Sequence, residues 1–233
     1  MQGDHRQMFK VIFAFAVLSF SAFLLTGCED PAANKARAVT TAAANSATTS
    51  PGGTASSVVA DFKPTGTALQ ISPENSKIGF IGSKVTGKHD GGFNSFNGFI
   101  DLVNEKAQES GVVIEIDMKS VFSDADKLTS HLQASDFFDV SKYPKSTFVS
   151  TRIVPDSTQG VGNYTVTGDL EMRGVRKSIT FPARIEIGPD AVTVDSEFAI
   201  NRKDFGIIYA GKADDLIRDD VVIRLDLKAP RKK

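Results

Sequence analysis

GNYTVTGDLEMRGVRKSITFPARIEI, residues 162–187, holds two runs in which apolar residues recur at every second position. In the first, Tyr164, Val166, Gly168, Leu170 and Met172 share one parity, and Thr165, Thr167, Asp169 and Glu171 share the other. In the second, Ile179, Phe181, Ala183, Ile185 and Ile187 alternate with Ser178, Thr180, Arg184 and Glu186. Successive side chains point to opposite faces of a strand, so each run has a dry face and a wet face. Between them stands Met172-Arg173-Gly174-Val175, where the glycine permits the backbone of a tight reversal. The stretch reads as a long antiparallel hairpin. Its flanks need more sheet, and its dry face needs a second layer or a lumen.

The rest of the chain supplies more strands and almost no helix. Ala68–Ser72, Ser76–Lys84, Phe93–Leu102, Gly111–Met118, Ser146–Val154, Ala191–Ile200 and Arg218–Lys228 all carry strand patterns. Lys88–Gly92 (KHDGG) reads as a turn by composition. In Gly111–Met118 the pattern turns Val112, Ile114, Ile116 and Met118 inward and Glu115 and Asp117 outward. In Arg218–Lys228 it turns Val221, Ile223, Leu225 and Leu227 inward and Val222, Arg224, Asp226 and Lys228 outward. Over Asp124–Phe138 the spacing changes to three and four, which predicts one or two helical turns capped by Ser123 or Asp124. Eight to ten strands with regular turns indicate an all-β antiparallel sandwich or barrel. No helical layer is available to cover the hairpin, so its dry face is expected to line a barrel lumen.

The N-terminal part has a different character. Arg6 and Lys10 precede the uncharged run Val11–Leu25, and Leu25-Thr26-Gly27-Cys28 follows at once. A basic region, a short apolar region and small residues describe an export signal. The run is short of the ~20 residues of a spanning helix. Its ending is similar to the lipobox of bacterial lipoproteins, whose Cys is acylated and becomes the mature N-terminus. The expectation is therefore a signal peptide over 1–28 and a lipid anchor on Cys28; an ordinary cleaved signal or an uncleaved anchor is the plainer alternative. Cys28 is the single cysteine, so stability rests on burial and not on disulfides. Glu29–Gly66, rich in Ala, Thr, Ser and Gly, reads as a disordered tether of about 35 Å r.m.s. span. The folded domain is expected over 67–230, with a basic tail at 231–233. Either envelope membrane would serve as the anchor site, with the domain facing the periplasm.

Charge and motifs narrow the function. Five of the 27 basic and four of the 28 acidic residues precede Thr67, leaving 22 basic and 24 acidic residues beyond it. That balance excludes the basic field that nucleic-acid binding requires. G-x-S-x-G, H-E-x-x-H and P-loop patterns are missing from the sequence. His89 and His131 lack the partners at close spacing that a metal site needs, so no metal or cofactor is expected. Eleven Phe and no Trp fall in the domain. They suit either a packed barrel or an apolar pocket.

Four blocks carry a resemblance: SKIGFIGSKVTGKHDGGFNSFNGFIDL (76–102), SHLQASDFFDVSKYPKSTFVST (130–151), YTVTGDLEMRGVRKSITF (164–181) and FAINRKDFGI (198–207). Together they resemble the YceI-like family of lipocalin-like, polyisoprenoid-binding periplasmic proteins. The resemblance implies an extended eight-stranded antiparallel β-barrel with one short helix, whose apolar pore takes a long-chain isoprenoid or similar amphiphile. Lys84 departs from that pattern, since His is common at its position. Inward parity selects Phe80, Tyr164, Leu170, Phe181, Phe198, Ile223 and Leu225 as the ligand-lining set. Lys84 and Arg202 continue inward parities at strand ends and are the expected head-group contacts. The resulting expectation is lipid binding or carriage without chemistry. Its rival is a filled barrel that docks an envelope partner. The sequence does not decide between monomer and dimer.

Overall fold

The computed structural model describes residues 29–43, 59 and 62–231. Cys28, the signal sequence, residues 44–58, 60 and 61 of the expected tether and the last two lysines lie outside the described residues. Two short strands come first, β1 (Ala36–Arg37) and β2 (Val39–Ala42). Three bent pairs follow: β3 (Thr67–Ile71) with β4 (Lys77–Lys84), β5 (Gly87–Phe93) with β6 (Phe96–Leu102), and β7 (Gly111–Asp117) with β8 (Val121–Ser123). After the helix α1 (Asp126–Gln133) come the long strands β9 (Lys145–Pro155), β10 (Asn163–Met172), β11 (Val175–Ile187) and β12 (Ala191–Asn201). A small hairpin, β13 (Gly211–Lys212) and β14 (Asp215–Leu216), precedes β15 (Asp220–Pro230).

The pairing order explains how the sheet curls. It runs β3-β6-β7-β9-β10-β11-β12-β15-β4-β5-β8. Its first three members belong to the same three bent pairs as its last three. Counting each bent pair once, the path passes through eight strands and comes back to the pair it began with. This is the lipocalin-like antiparallel barrel. At its centre is the 162–187 hairpin, in register from Asn163↔Arg184 to Met172↔Val175. The two-residue turn puts Arg173 at φ 53° and Gly174 at φ 70°, the doubly left-handed geometry that suits twisted strands.

Two departures from the expected strands have local causes. Lys88–Gly92 is not a turn: His89, Asp90 and Gly91 pair with Gly82, Ile81 and Phe80, and the reversal sits at Val85-Thr86. The glycines admit aromatic rings instead. A Cβ on Gly91 would lie 2.4 Å from the Phe80 ring. In β9 the register slips between Thr167↔Arg152 and Gly168↔Ser150, leaving Thr151 as an extra residue. This bulge lets Phe148 and Ile153, of opposite parity, both pack against the core. Glu115, expected outside, is 7% exposed and pairs with Lys145 at 2.7 Å. The outer surface of β6 and β7 is covered near the start of the domain, where Phe62 lies 5.2 Å from Phe99. Capping of α1 also differs. Its N-cap is Ala125 without a side-chain bond, while Asp124 binds His89.

The expected tether is partly structured, which corrects its reading as coil over 29–66. β11 and β12 pair only over Arg184–Ile187 and Val192–Asp195. Pro182, which has no N–H to give, lies just past the point where that ladder stops. In the gap, β2 pairs with Lys177–Thr180 of β11, and β1 runs parallel to Phe198-Ala199 of β12. Ala32, 3% exposed, joins Ile81, Ala199 and Val222 in a small outer cluster. Low hydrophobicity did not prevent ordering here, because a ready-made sheet edge supplies the hydrogen bonds.

Candidate lumen site

The barrel is filled at one end and hollow at the other. At the filled end Leu69, Ile71, Phe96, Ile100, Leu102, Val112, Ile185, Val192, Val194, Leu227 and Ala229 form a continuous buried core. Above it three aromatic rings make a floor. Phe181 and Phe198 stack at 4.1 Å with 10° between planes, and Phe148 tilts against Phe181 at 5.7 Å. Beyond the floor lies a cavity of about 440 Å³. Its walls include Phe80, Ile114, Leu170, Met172, Ile200, Ile223 and Leu225. That volume falls in the ordinary range for ligand pockets, about 300–1,000 Å³.

One side of the hollow end is built by the helix and the loop after it. Leu132 and Phe137 pack with Phe80, Val121 and Ile207. Arg173, in the turn of the central hairpin, donates to the Gly206 carbonyl at 2.6 Å and the Ser135 carbonyl at 2.8 Å. It ties the hairpin to both loops that frame the opening.

Polar groups concentrate at the mouth, where Lys84, His89, His131, Lys212 and Asp215 join the lining. Lys84 Nζ binds Asp215, and this ammonium holds the carboxyl below its ordinary range. His89 Nδ1 is 2.8 Å from Asp124, and His131 Nε2 is 2.9 Å from Asp136. Both carboxyls are held low, first by the histidine hydrogen bonds. His131 also meets Phe137 and Tyr209 edge-on at 4.8 and 5.0 Å. Each histidine thus has a carboxylate and, for His131, an aromatic cradle. Among the described residues, no group of three or more His, Cys, Asp or Glu could hold a metal.

Of the residues selected by parity, Phe80, Leu170, Phe181, Phe198, Ile223 and Leu225 line the cavity. Tyr164 does not. It faces inward but pairs with Ala183 and Pro155, at the level where the lumen is already filled. Parity fixes the face of a strand and says nothing of height along the barrel. Arg202 touches the cavity, yet it is 4% exposed and committed elsewhere. It donates to the carbonyls of Ile207 (2.6 Å), Arg218 (3.1 Å) and Ile217 (3.3 Å), and to Asp219 (3.1 Å). Burial lowers its pKa, with Asp219 opposing. It is a clamp on the 202–219 loop. Tyr209 and Lys212 were missed because a loop residue and a two-residue strand carry no period, and Phe148 because the bulge hides its parity. A second concavity, about 930 Å³, lies outside the barrel and includes Lys77, Asp195, Glu197, Arg224 and Asp226. Burial, with Asp226 and Glu186 nearby, holds the Asp195 carboxyl above its ordinary range. The same concavity takes in Ile78, Phe93, Phe96, Phe122 and Leu225, so its walls mix charged and apolar groups.

With this geometry in place, comparison with known proteins is informative. The profile of the YceI-like domain matches residues 69–229. A UPF0312 protein of Pseudomonas putida (strain GB-1) is 30% identical over 139 residues, 57% of this chain and 71% of its own length. Among solved structures, BcnA of Burkholderia cenocepacia has a TM-score of 0.62 at 25% identity, covering 68% of this chain and 99% of that one. A polyisoprenoid binding domain from Saccharophagus degradans has a TM-score of 0.56 at 17% identity, covering 71% and 100%. At that identity the likeness is one of fold.

Proposed function

The chain belongs to the YceI-like family, and from that premise we propose that its half-hollow barrel binds a long-chain isoprenoid or similar amphiphile without chemical conversion. The observation that carries this reading is the apolar cavity of about 440 Å³ with a sealed aromatic floor and a polar mouth. An apolar tail there gains roughly 25 cal/mol for each Å² taken from water. A head group would meet Lys84 and Lys212 at the mouth. The description of the Saccharophagus domain as polyisoprenoid binding supports the same ligand class. The hollow lumen also favours a ligand carrier over a filled barrel acting only as a docking module.

The proposed setting is the cell envelope, facing the periplasm. The export signal over 1–28 and the lipobox ending at Cys28 support it. Acylated Cys28 would hold the 67–230 domain at a membrane. Native mass spectrometry of the purified protein, followed by organic extraction, tests the binding. We expect a co-purifying apolar lipid that is lost on extraction. A protein that carries no lipid and takes none up from detergent would refute the reading.

A further inference from the structure

The N-terminal segment has a direction, and it points to the mouth. From Lys35 back to Asp30 the chain climbs the outer wall. Lys35 pairs with Glu197 (2.7 Å), Ala32 packs on Ala199, Val222 and Ile81, and the Asp30 carboxylate reaches Arg218 Nη1 at 3.3 Å. Arg218 adjoins the mouth, next to the lining residues Ser83 and Ile217. Its N–H donates to the Ser83 carbonyl at 2.9 Å, and its neighbour Ile217 bridges Lys84. An acyl group on Cys28, two residues before Asp30, therefore starts within about 7 Å of that residue. The described chain thus begins beside the rim of the cavity.

The same rim exposes apolar side chains that the fold does not need there. Ile208 is 72% exposed, Val85 55% and Leu216 49%. Val85 and Leu216 are neighbours, since the Val85 N–H donates to the Leu216 carbonyl at 3.2 Å, and Ile208 follows Ile207, which lines the same cavity. The other exposed large apolar residues are Val39 on β2, Phe122 on β8 and, at the filled end, Val161 in the β9–β10 connection at 99%. Isolated apolar residues on a surface need no explanation, but a cluster around a ligand mouth marks a contact surface. No helix among the described residues is long and apolar enough to cross a membrane.

We infer that the barrel sits mouth-down on a phospholipid bilayer. The Cys28 anchor and the Val85–Ile208–Leu216 rim meet the same surface, and the amphiphile passes between bilayer and cavity without crossing water. This rests on the lipid-binding and acylation readings above. It replaces the expected disordered tether with a short strap that fixes which end faces the lipid.

The test uses acylated full-length protein in phosphatidylethanolamine–phosphatidylglycerol vesicles, with intact mass confirming the acyl group. Ile208→Cys and Val161→Cys variants each carry a bimane label, and nitroxide-bearing lipids act as quenchers. Quenching several-fold stronger at 208 than at 161 is expected. Equal quenching, stronger quenching at 161, or a chain that carries no acyl group would overturn the inference. A second arm uses Ile208→Asp combined with Leu216→Asp. Uptake of a fluorescent isoprenoid alcohol from vesicles should slow at least ten-fold, while the amount retained after loading in detergent stays unchanged. Unchanged uptake from vesicles also counts against the inference. Failure to load in detergent, in the parent protein, refutes the cavity reading instead, and the quenching pattern still reports orientation.

Discussion

Two cations that look alike in sequence part company at the level of single residues. Lys84 and Arg202 both end inward parities, and both touch the cavity. Arg202, however, satisfies three backbone carbonyls and Asp219 from a position 4% exposed. Removing it strands those acceptors in a buried loop, at a cost on the order of 2–4 kcal/mol. Arg202→Met should therefore lower the thermal midpoint by several degrees, and Arg202→Lys should rescue little, since an ammonium cannot reproduce the guanidinium fork. Lys84 has a half-exposed ammonium with a single carboxylate partner. Lys84→Ala should leave the midpoint nearly unchanged but weaken retention of lipids with anionic head groups relative to neutral ones. Thermal melts run beside lipid-retention assays separate the two roles. If Arg202→Met melts like the parent, the clamp assignment fails.

Strand elements were legible in the sequence wherever one face is wet and the other dry. β10 and β11 match their alternation, down to the turn at Arg173-Gly174, and β15 matches it except at Val222, expected outward but fully buried from outside by Ala32. Legibility failed where a strand is covered on both sides or bent by a local device. Glu115 is buried because the outer face of β7 is not left to solvent, and Phe148 is hidden by the Thr151 bulge. β1 and β2 gave no signal at all, because an AR pair and VTTA are ordered by the edges of β11 and β12 and not by their own hydrophobicity. This makes the strap testable as an element. Ala32→Asp would put a carboxylate against Ile81, Ala199 and Val222, costing about 2 kcal/mol or more. Hydrogen exchange should then accelerate at Lys177–Thr180 and Phe198-Ala199, the residues paired with β2 and β1. Unchanged protection there would mean that the barrel wall closes without the strap.

For the molecule as a whole, the question is why half of the barrel is left unpacked. A lumen built only for stability would be filled to the density of the closed end, since buried voids forfeit contacts on every wall. Here the void persists beside Ile223, Leu170 and Phe80, so the apo protein gives up stability that a bound chain can restore. The same linkage gives a quantitative expectation. Ligand at a hundred-fold excess over its Kd adds ~2.7 kcal/mol to the folded state, several degrees for a domain of this size. Ile223→Trp should reverse the balance. The larger side chain can occupy the space above the Phe181–Phe198 floor, so the apo midpoint should hold or rise while the shift on adding lipid disappears. A filled-barrel protein would respond in the opposite way, because an added indole would overpack a dense core and cost roughly 1–3 kcal/mol. Calorimetry of the parent and Ile223→Trp, each with and without lipid, distinguishes the two cases. Loss of apo stability with no lipid shift in the parent would mark the hollow as structural slack and not a binding site.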